Sequence, residues 1–329
     1  MFFVELCAKG DSFMRSTFLL LAVLCLSLLL CAAAGAEGLA PLPMDDCSVG
    51  LLPAADAYLS PTEYRDASLS VTIYQDRYAN TDCYYAHVKI VHPSQLRAAP
   101  AGIVNEPNAT FSSQRAWKAS QIAKAANAVI ALNGDYYTST EICKVVMRQS
   151  KQYRNIANGE TDVLAIDSSG DFHVLKNCTK DDYKAYFDEM EGLLYNVFSF
   201  GPLLVEDGVS IIPETYSNHA IGSLIFAQRS AIAQLGPLEY MIVCTSGPQS
   251  EGSRGLYLYE FAKFCEIAGK RLNENGCILA YNMDGGNSAT LVFSEIDPIK
   301  GELKMRRVNS ADIGERALSD IVYFSTLVP

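Results

Sequence analysis

Short runs of β-branched and aromatic residues, each bounded by polar or glycine-containing turns, recur from residue 68 to the C-terminus. They include SLSVTIYQ, CYYAHVKIV, NVFSF, LEYMIVCT and DIVYFSTL. Amphipathic segments with a helical period interrupt them at SSQRAWKASQIAKAANA, TKDDYKAYFDEM and GLYLYEFAKFCEIAG. Many short strands and few helices predict an α+β fold, a strand-dominated mixed sheet with about three helices in a single domain.

The first 36 residues have the pattern of a secretory signal. Arg15 precedes an apolar run from Phe18 to Ala34, and the small residues Ala34-Gly35-Ala36 follow it. The run is also marginally long enough to span a bilayer, so a signal peptide and a membrane anchor through residues 18–34 both stay open. In either case we expect the protein to be secreted or to lie on the extracellular surface.

The rest of the chain divides by composition into two parts. Residues 37–67 are rich in Pro, Ala and acidic residues and are interpreted as a leader or linker. Residues 68–329 contain the strand-like and helical segments and are predicted to form the folded domain.

Charge and motifs exclude several classes of function. The formal net charge of −11 argues against nucleic acid, which binds to basic surfaces. No H-E-x-x-H zinc motif, no G-x-S-x-G serine motif and no phosphate loop followed by Lys-Ser/Thr is present. The sequence therefore predicts no cofactor and no dedicated metal site, with a cation shared by Asp135 and Asp284 as a weaker alternative.

Two polar, glycine-containing clusters each follow an apolar strand. The first is ALNGDYY, with Asn133, Gly134 and Asp135, and the second is YNMDGGNSAT, around Asp284. One such cluster is typical of a tight turn, because glycine adopts positive φ without penalty and Asp accepts hydrogen bonds from nearby amides. The same chemistry exposes main-chain amides to a ligand, so two clusters together predict a binding site.

Three arginines, Arg229, Arg254 and Arg316, are candidate contacts for an anionic group. A guanidinium that begins a buried strand pairs with a structural carboxylate about as often as it binds a ligand. The alternative is bidentate recognition of a phosphate or carboxylate.

Seven segments in order resemble one family, the phosphodiester glycosidases related to the enzyme that removes N-acetylglucosamine from a 1-phosphodiester. They are SQLRAA, NAVIALNGDYY, SFGPLLVEDG, RSAIA, SRGLYLYEFAKF, AYNMDGGNSATLVF and GERALSDIVYF, between residues 69 and 326. The resemblance implies a hydrolase that converts a sugar 1-phosphodiester into free sugar and a phosphomonoester. Its partner would be such a diester or an anionic polysaccharide.

The resemblance also suggests roles for residues in these segments. Asp284 is expected to act as nucleophile or base, Asp135 as the second carboxylate, and Arg229 as the phosphate contact. The expected substrate-binding residues are Asn133, Gly134, Tyr137, Ser253, Gly285, Gly286, Ser288 and Arg316.

The chain departs from the family at two positions, with Asn287 and Ala233 where glycines are usual. These departures leave a second function open. In it, the same cleft binds polysaccharide, or helps to assemble exopolysaccharide, without turnover.

Overall fold

The structure is a computed structural model and describes residues 38–45, 49–102, 116–136 and 144–329. The described residues of Ala40–Pro329 form one compact unit, and before it only Gly38 and Leu39 are described. The apolar run at residues 18–34 lies outside the described residues. Among the residues that are described, no helix is both long and apolar enough to cross a bilayer.

Strands dominate the described part of the chain, and three α-helices accompany them, which confirms the predicted fold class. The helices are α1 (Ala119–Ala125), α2 (Lys180–Met190) and α3 (Leu258–Leu272). The strands of the N-terminal half are β1 (Tyr58–Ser60), β2 (Glu63–Arg65), β3 (Leu69–Tyr78), β4 (Thr81–Ile90), β5 (Leu96–Pro100), β6 (Trp117–Lys118), β7 (Ile130–Asn133), β8 (Val145–Arg148), β9 (Lys151–Asn155), β10 (Val163–Asp167) and β11 (Phe172–Leu175). Those of the C-terminal half are β12 (Leu194–Phe198), β13 (Leu203–Glu206), β14 (Val209–Ser210), β15 (Ser230–Gly236), β16 (Glu239–Thr245), β17 (Leu279–Met283), β18 (Leu291–Ile296), β19 (Leu303–Arg307), β20 (Ala317–Leu318) and β21 (Asp320–Phe324).

These strands form three large antiparallel sheets and one small one. The largest has nine strands in the order β1-β2-β3-β4-β16-β15-β17-β13-β14. The two five-stranded sheets have the orders β11-β10-β12-β8-β9 and β19-β18-β7-β21-β5, and β6 pairs with β20. The hairpin of the ten-residue strands β3 and β4 alternates buried and more exposed side chains for most of its length, as expected for a sheet with one face on a core.

One core lies among the three large sheets, and each helix covers the outer face of one of them. Ile232, Leu164 and Leu132 represent the three sheets in the shared core. Helix α3 packs on the nine-stranded sheet, α2 on the sheet of β10 and β12, and α1 on the sheet of β7 and β21. The central strands β7 and β17 are therefore buried on both faces.

The fold continues N-terminally of Ser68, where the sequence predicts a leader. Strand β2 pairs with β3, and β1 pairs with β2, so this segment extends one edge of the nine-stranded sheet. The Tyr64 ring is fully buried in the shared core and its hydroxyl donates to Asp66. Burial of this ring explains how a Pro- and Ala-rich segment becomes part of the sheet.

The first helix is shorter than its alanine pattern predicts. Trp117 and Lys118 form β6 and pair with Leu318 and Ala317, so α1 begins only at Ala119. Pairing with a strand remote in sequence overrides the local helical period, which a sequence pattern alone does not reveal.

Candidate active site

The two strand-end clusters meet, although β7 and β17 belong to different sheets. The side-chain amide of Asn133 donates from Nδ2 to the carbonyl oxygen of Asp284 at 2.8 Å. The Asp284 amide donates to the carbonyl oxygen of Gly134 at 3.3 Å. Ser230 at the start of β15 also donates from Oγ to the Asp284 carbonyl, at 2.7 Å. These bonds fix the backbone that carries the Asp284 carboxylate.

The glycines of the clusters permit close backbone approach. A Cβ on Gly134 would lie 2.3 Å from Oδ1 of Asp320, and one on Gly285 would lie 2.8 Å from the carbonyl oxygen of Gln228. Gly286 has φ of +57° and begins a short 3-10 turn, Gly286–Ser288, with open space where a side chain would stand. The first two glycines are thus required for packing, and the third keeps the surface open.

Beside these strand ends lies a cavity of about 270 Å³. Asp284, Gly285 and Gly286 form one wall, and the segment from His219 to Gly222 forms another. The remaining lining residues are Tyr136, Phe200, Ile225, Ala227, Arg229 and Arg316. The rings of Tyr136 and Phe200 stack with centroids 6.2 Å apart, which places an aromatic surface inside the cavity. Aromatic walls with a few convergent polar groups are typical of small-molecule sites.

Arg229 lines this cavity and also holds its wall together. Its guanidinium donates to the carbonyl oxygens of Leu256 at 3.0 Å, Ile221 at 3.1 Å, Gly222 at 2.7 Å and Ile225 at 3.0 Å. Four of its five N–H donors are thereby engaged. Burial lowers the pKa of Arg229 to about 10, so the side chain is still cationic at neutral pH. The structure therefore gives Arg229 a positioning role that the sequence does not reveal.

Asp135 lies behind the cavity and is not among its lining residues. Its side chain is fully buried and forms an ion pair with Arg148 at 2.9 Å. Arg148 in turn contacts Oδ2 of Asp320 at 2.6 Å, and the Asp135 carboxylate accepts from the amides of Ser199 and Phe200. This placement differs from the sequence-based expectation of a second carboxylate that faces the substrate.

Burial raises the pKa of Asp135 to about 6, against the opposing effect of the Arg148 charge. One guanidinium serves two buried carboxylates here, because Asp320 shares Arg148 with Asp135. The second negative charge favours the protonated form of Asp135 further. The cluster is a buried support for the backbone of Phe200, which lines the cavity.

The other predicted residues take three kinds of position. Ser288 is buried beside the cavity, and Arg316 donates to its hydroxyl at 3.4 Å from within the lining. Ser253 lies elsewhere, where its hydroxyl contacts Asp82. Tyr137 is outside the described residues. Arg254 pairs with Glu260 and covers the ring of Phe226, away from the cavity lining.

Sequence reasoning did not single out Phe200, His219 or the turn around Gly222 as lining residues. Phe200 falls in the family-like segment SFGPLLVEDG, which gives the one available signal for it. Within the described ranges, no three His, Cys, Asp or Glu side chains are grouped as metal ligands would be. The oxygens of Asp135 are directed to Arg148 and to two amides, not toward Asp284.

A carboxylate and guanidinium groups around an aromatic-walled cavity define a class of site suited to hydrolysing glycosidic bonds to anionic groups. The family model for phosphodiester glycosidases matches residues 126–325, more than half of the chain. The chain therefore belongs to the phosphodiester glycosidase family, as its sequence motifs predict. Family and fold together point to a hydrolase of this kind. Every residue discussed for the cavity lies within the matched range.

A solved structure shares the fold. The catalytic domain of zebrafish N-acetylglucosamine-1-phosphodiester alpha-N-acetylglucosaminidase, auto-inhibited by its pro-peptide, superposes with a TM-score of 0.57. It is 17% identical, and the match covers 87% of this chain and 95% of that one. A hypothetical protein from Synechocystis has a TM-score of 0.46 at 13% identity, with coverage of 80% and 64%. No curated protein matches this sequence.

Proposed function

We propose that the protein hydrolyses sugar 1-phosphodiesters, such as N-acetylglucosamine 1-phosphodiesters, to free sugar and a phosphomonoester. The observation that carries the proposal is that Asp284 and Arg316 line one cavity whose walls are fixed from behind. The cavity thereby offers a carboxylate for the anomeric centre and a guanidinium for the phosphate. The family to which the chain belongs performs this class of chemistry, which supports the same conclusion.

The chemistry of the leaving group fits a site in which Asp284 is the one carboxylate among the described lining residues. Cleavage of the C1–O bond releases a phosphate monoester, whose second pKa of about 6 makes it a good leaving group without a strong general acid. The main requirement for catalysis is then the stabilisation of positive charge at C1 in the transition state. The Asp284 carboxylate supplies it, either as nucleophile or as the base that activates water.

Arg316 is the side chain best placed to contact the phosphate directly. It belongs to the lining, and Nη1 is 3.4 Å from the Ser288 hydroxyl at the end of the glycine turn. Arg229 contributes its buried positive charge, while its hydrogen bonds hold the wall from Ile221 to Ile225. The net negative charge of the chain repels an anionic substrate, and the two arginines at this cavity offset that repulsion locally.

Neither of the two departures from the family pattern is itself a residue of the cavity lining. Ala233 is buried in β15, where it pairs with Met241 and Ala280 and packs toward α3. Asn287 is exposed in the 3-10 turn and is absent from the lining. This placement favours catalysis over a binding function without turnover.

We also propose that the reaction takes place outside the cytoplasm, since residues 1–36 have the pattern of an export signal or anchor. Extracellular sugar phosphodiesters occur in polysaccharides and on glycoproteins, and both stay candidate substrates.

The test is an assay of the purified protein on a panel of α- and β-linked sugar 1-phosphodiesters. Release of reducing sugar together with a phosphomonoester supports the proposal. Hydrolysis in ¹⁸O-labelled water then locates the broken bond, and the label is expected in the sugar. Label in the phosphate would mean P–O cleavage and would remove the proposed role of Asp284. Binding of an anionic polysaccharide without turnover would favour the non-catalytic alternative.

A further inference from the structure

The rim of the cavity carries three consecutive large apolar side chains that face solvent. Leu224 is 46% exposed, Ile225 is 59% exposed and Phe226 is 36% exposed, and we call these three residues the rim patch. Single exposed apolar residues are common on protein surfaces. In the described ranges, no other exposed large hydrophobic residues are adjacent in sequence. Ile225 also lines the cavity, so the rim patch and the cavity are continuous.

The rim patch is held in place by hydrogen bonds on both sides. Arg229 binds the carbonyl oxygens of Gly222 and Ile225. The Ser223 carbonyl accepts from the amide of Leu258, and the Ser223 amide donates to Asn218. Because these hydrogen bonds fix the backbone of the loop, its apolar side chains are held in positions that face solvent.

The same bonds engage several main-chain oxygens at the rim patch. The carbonyls of Gly222 and Ile225 accept from Arg229, the carbonyl of Ser223 accepts from α3, and the three side chains of the patch have no hydrogen-bonding atoms. A sugar ring needs hydrogen-bond partners for its hydroxyls, so this surface does not suit one. Three residues are also far fewer than the 20–30 per side of a stable protein interface. What fits is a short length of hydrocarbon that belongs to a molecule already held in the cavity.

We propose that the substrate is a sugar 1-phosphodiester whose second ester group is an alkyl or isoprenoid chain, and that the rim patch binds the first part of this chain. The inference rests on the proposed function and adds the chemical class of the leaving group. In the reaction, the bond between C1 and the phosphate oxygen breaks and the oxygen of water bonds to C1. The products are the free sugar, which keeps the hydroxyl of the water on C1, and an alkyl phosphate. The second proton of the water goes to the alkyl phosphate or, by exchange, to the solvent.

Two neighbouring side chains lie over the Phe226 ring and fix it at the rim. Its ring stacks on Tyr257 with centroids 4.2 Å apart, and the Arg254 guanidinium covers it at 4.3 Å. Because Phe226 is fixed by these contacts, its exposed part is rigid and loses little conformational entropy when the alkyl chain binds.

The experiment compares methyl, butyl and octyl esters of N-acetylglucosamine 1-phosphate, below the concentration at which the octyl ester forms micelles. For the wild-type protein, kcat/KM should rise about tenfold or more from methyl to octyl, since each buried methylene favours binding. Leu224→Ser should reduce this octyl-to-methyl ratio at least threefold. Ile299→Ser is the matched control, since Ile299 is 92% exposed in another loop and should leave the ratio unchanged.

The outcomes separate the two proposals. Turnover of the three esters at equal kcat/KM would overturn the alkyl-chain inference and leave the proposed hydrolysis intact. If none of them is hydrolysed, the proposed function fails, and calorimetry with octyl phosphate and methyl phosphate tests the rim patch by itself. Tighter binding of octyl phosphate that Leu224→Ser abolishes would uphold an apolar site. Equal binding of both phosphates, or of neither, would overturn it.

Discussion

Asn133 donates a hydrogen bond from its side chain to the main-chain oxygen of Asp284, at 2.8 Å, across the junction of two sheets. Its Oδ1 accepts from the amide of Thr290 at 3.0 Å, so one buried side chain ties the end of β7 to both sides of the glycine turn. The Asp284 carboxylate thus stands on backbone that two separate strands hold in place.

Replacing Asn133 with Asp should disturb this junction without changing the side-chain volume. The carboxylate cannot donate to the carbonyl oxygens of Gly134 and Asp284 that Nδ2 now contacts. Unpartnered buried groups cost about 1–3 kcal/mol each, so we expect a clear loss of stability in chemical denaturation. If the variant folds, kcat should fall more than KM rises, because Asn133 positions Asp284 and does not line the cavity. Asn275→Asp, at an exposed position, is the control.

Gly134→Ala tests the close approach of β7 to Asp320. The added Cβ would lie 2.3 Å from the Asp320 carboxylate, which Arg148 holds from the other side. Overpacking of this kind costs about 1–3 kcal/mol, and the thermal midpoint should fall accordingly. Gly314→Ala meets nothing within 4 Å and should leave the midpoint nearly unchanged. Equal midpoints for the two variants would contradict the packing described for Gly134.

Arg229→Lys tests the positioning role of that guanidinium. A lysine carries the same charge but cannot reach the four carbonyl oxygens with one fork of donors. We expect a loss of stability of about 2 kcal/mol or more, because several buried carbonyls lose charged donors. Substrate KM should rise as the wall from Ile221 to Ile225 loosens. Arg65→Lys, at a well-exposed ion pair, should change neither quantity. An unaltered KM in Arg229→Lys would show that the wall does not depend on this residue.

The Asp135 carboxylate should make stability depend on pH in a recognisable direction. Its folded-state pKa of about 6 lies above the ordinary value of 3.8 for an aspartate, so the folded state binds more protons between these values. The stabilising contribution of protonation is complete below about pH 4 and is lost as the pH rises through about 6. Over that interval the wild-type protein should lose stability relative to Asp135→Asn. Denaturant titrations of both proteins from pH 4 to 7 measure the free energy of unfolding of each. If the wild-type value minus the Asp135→Asn value stays constant or rises with pH, the prediction is contradicted.

The two strand ends of the site can be predicted from the sequence because the residues that form each of them are adjacent in the chain. An apolar strand followed by Asn-Gly-Asp or Asp-Gly-Gly can be recognised from adjacent residues, and both clusters do end central strands, β7 and β17. The segment order then identifies the family, which the family match over residues 126–325 confirms.

The parts that the sequence does not reveal depend on contacts between remote residues. The residues next to Asp135 in sequence do not indicate that Arg148 and Asp320 enclose it in the fold. The four carbonyl partners of Arg229 likewise come from two separate loops. Trp117 lies in a segment with a helical pattern but forms a strand and pairs with Leu318, about two hundred residues later in the chain. Burial and pairing partners are properties of the folded chain, so a carboxylate that faces the substrate and one that supports the wall look alike in sequence.

Asp284→Asn gives the most direct test of the whole account, assayed on an α-linked N-acetylglucosamine 1-phosphodiester that the wild-type protein hydrolyses. The asparagine keeps the shape of the side chain and removes its charge, so the fold and thermal midpoint should be preserved. Asp188→Asn, at an exposed position of α2, is the matched control and should retain full activity. We predict that kcat falls about 10²- to 10⁴-fold in Asp284→Asn. A folded Asp284→Asn protein with near wild-type turnover would contradict the central role of this carboxylate.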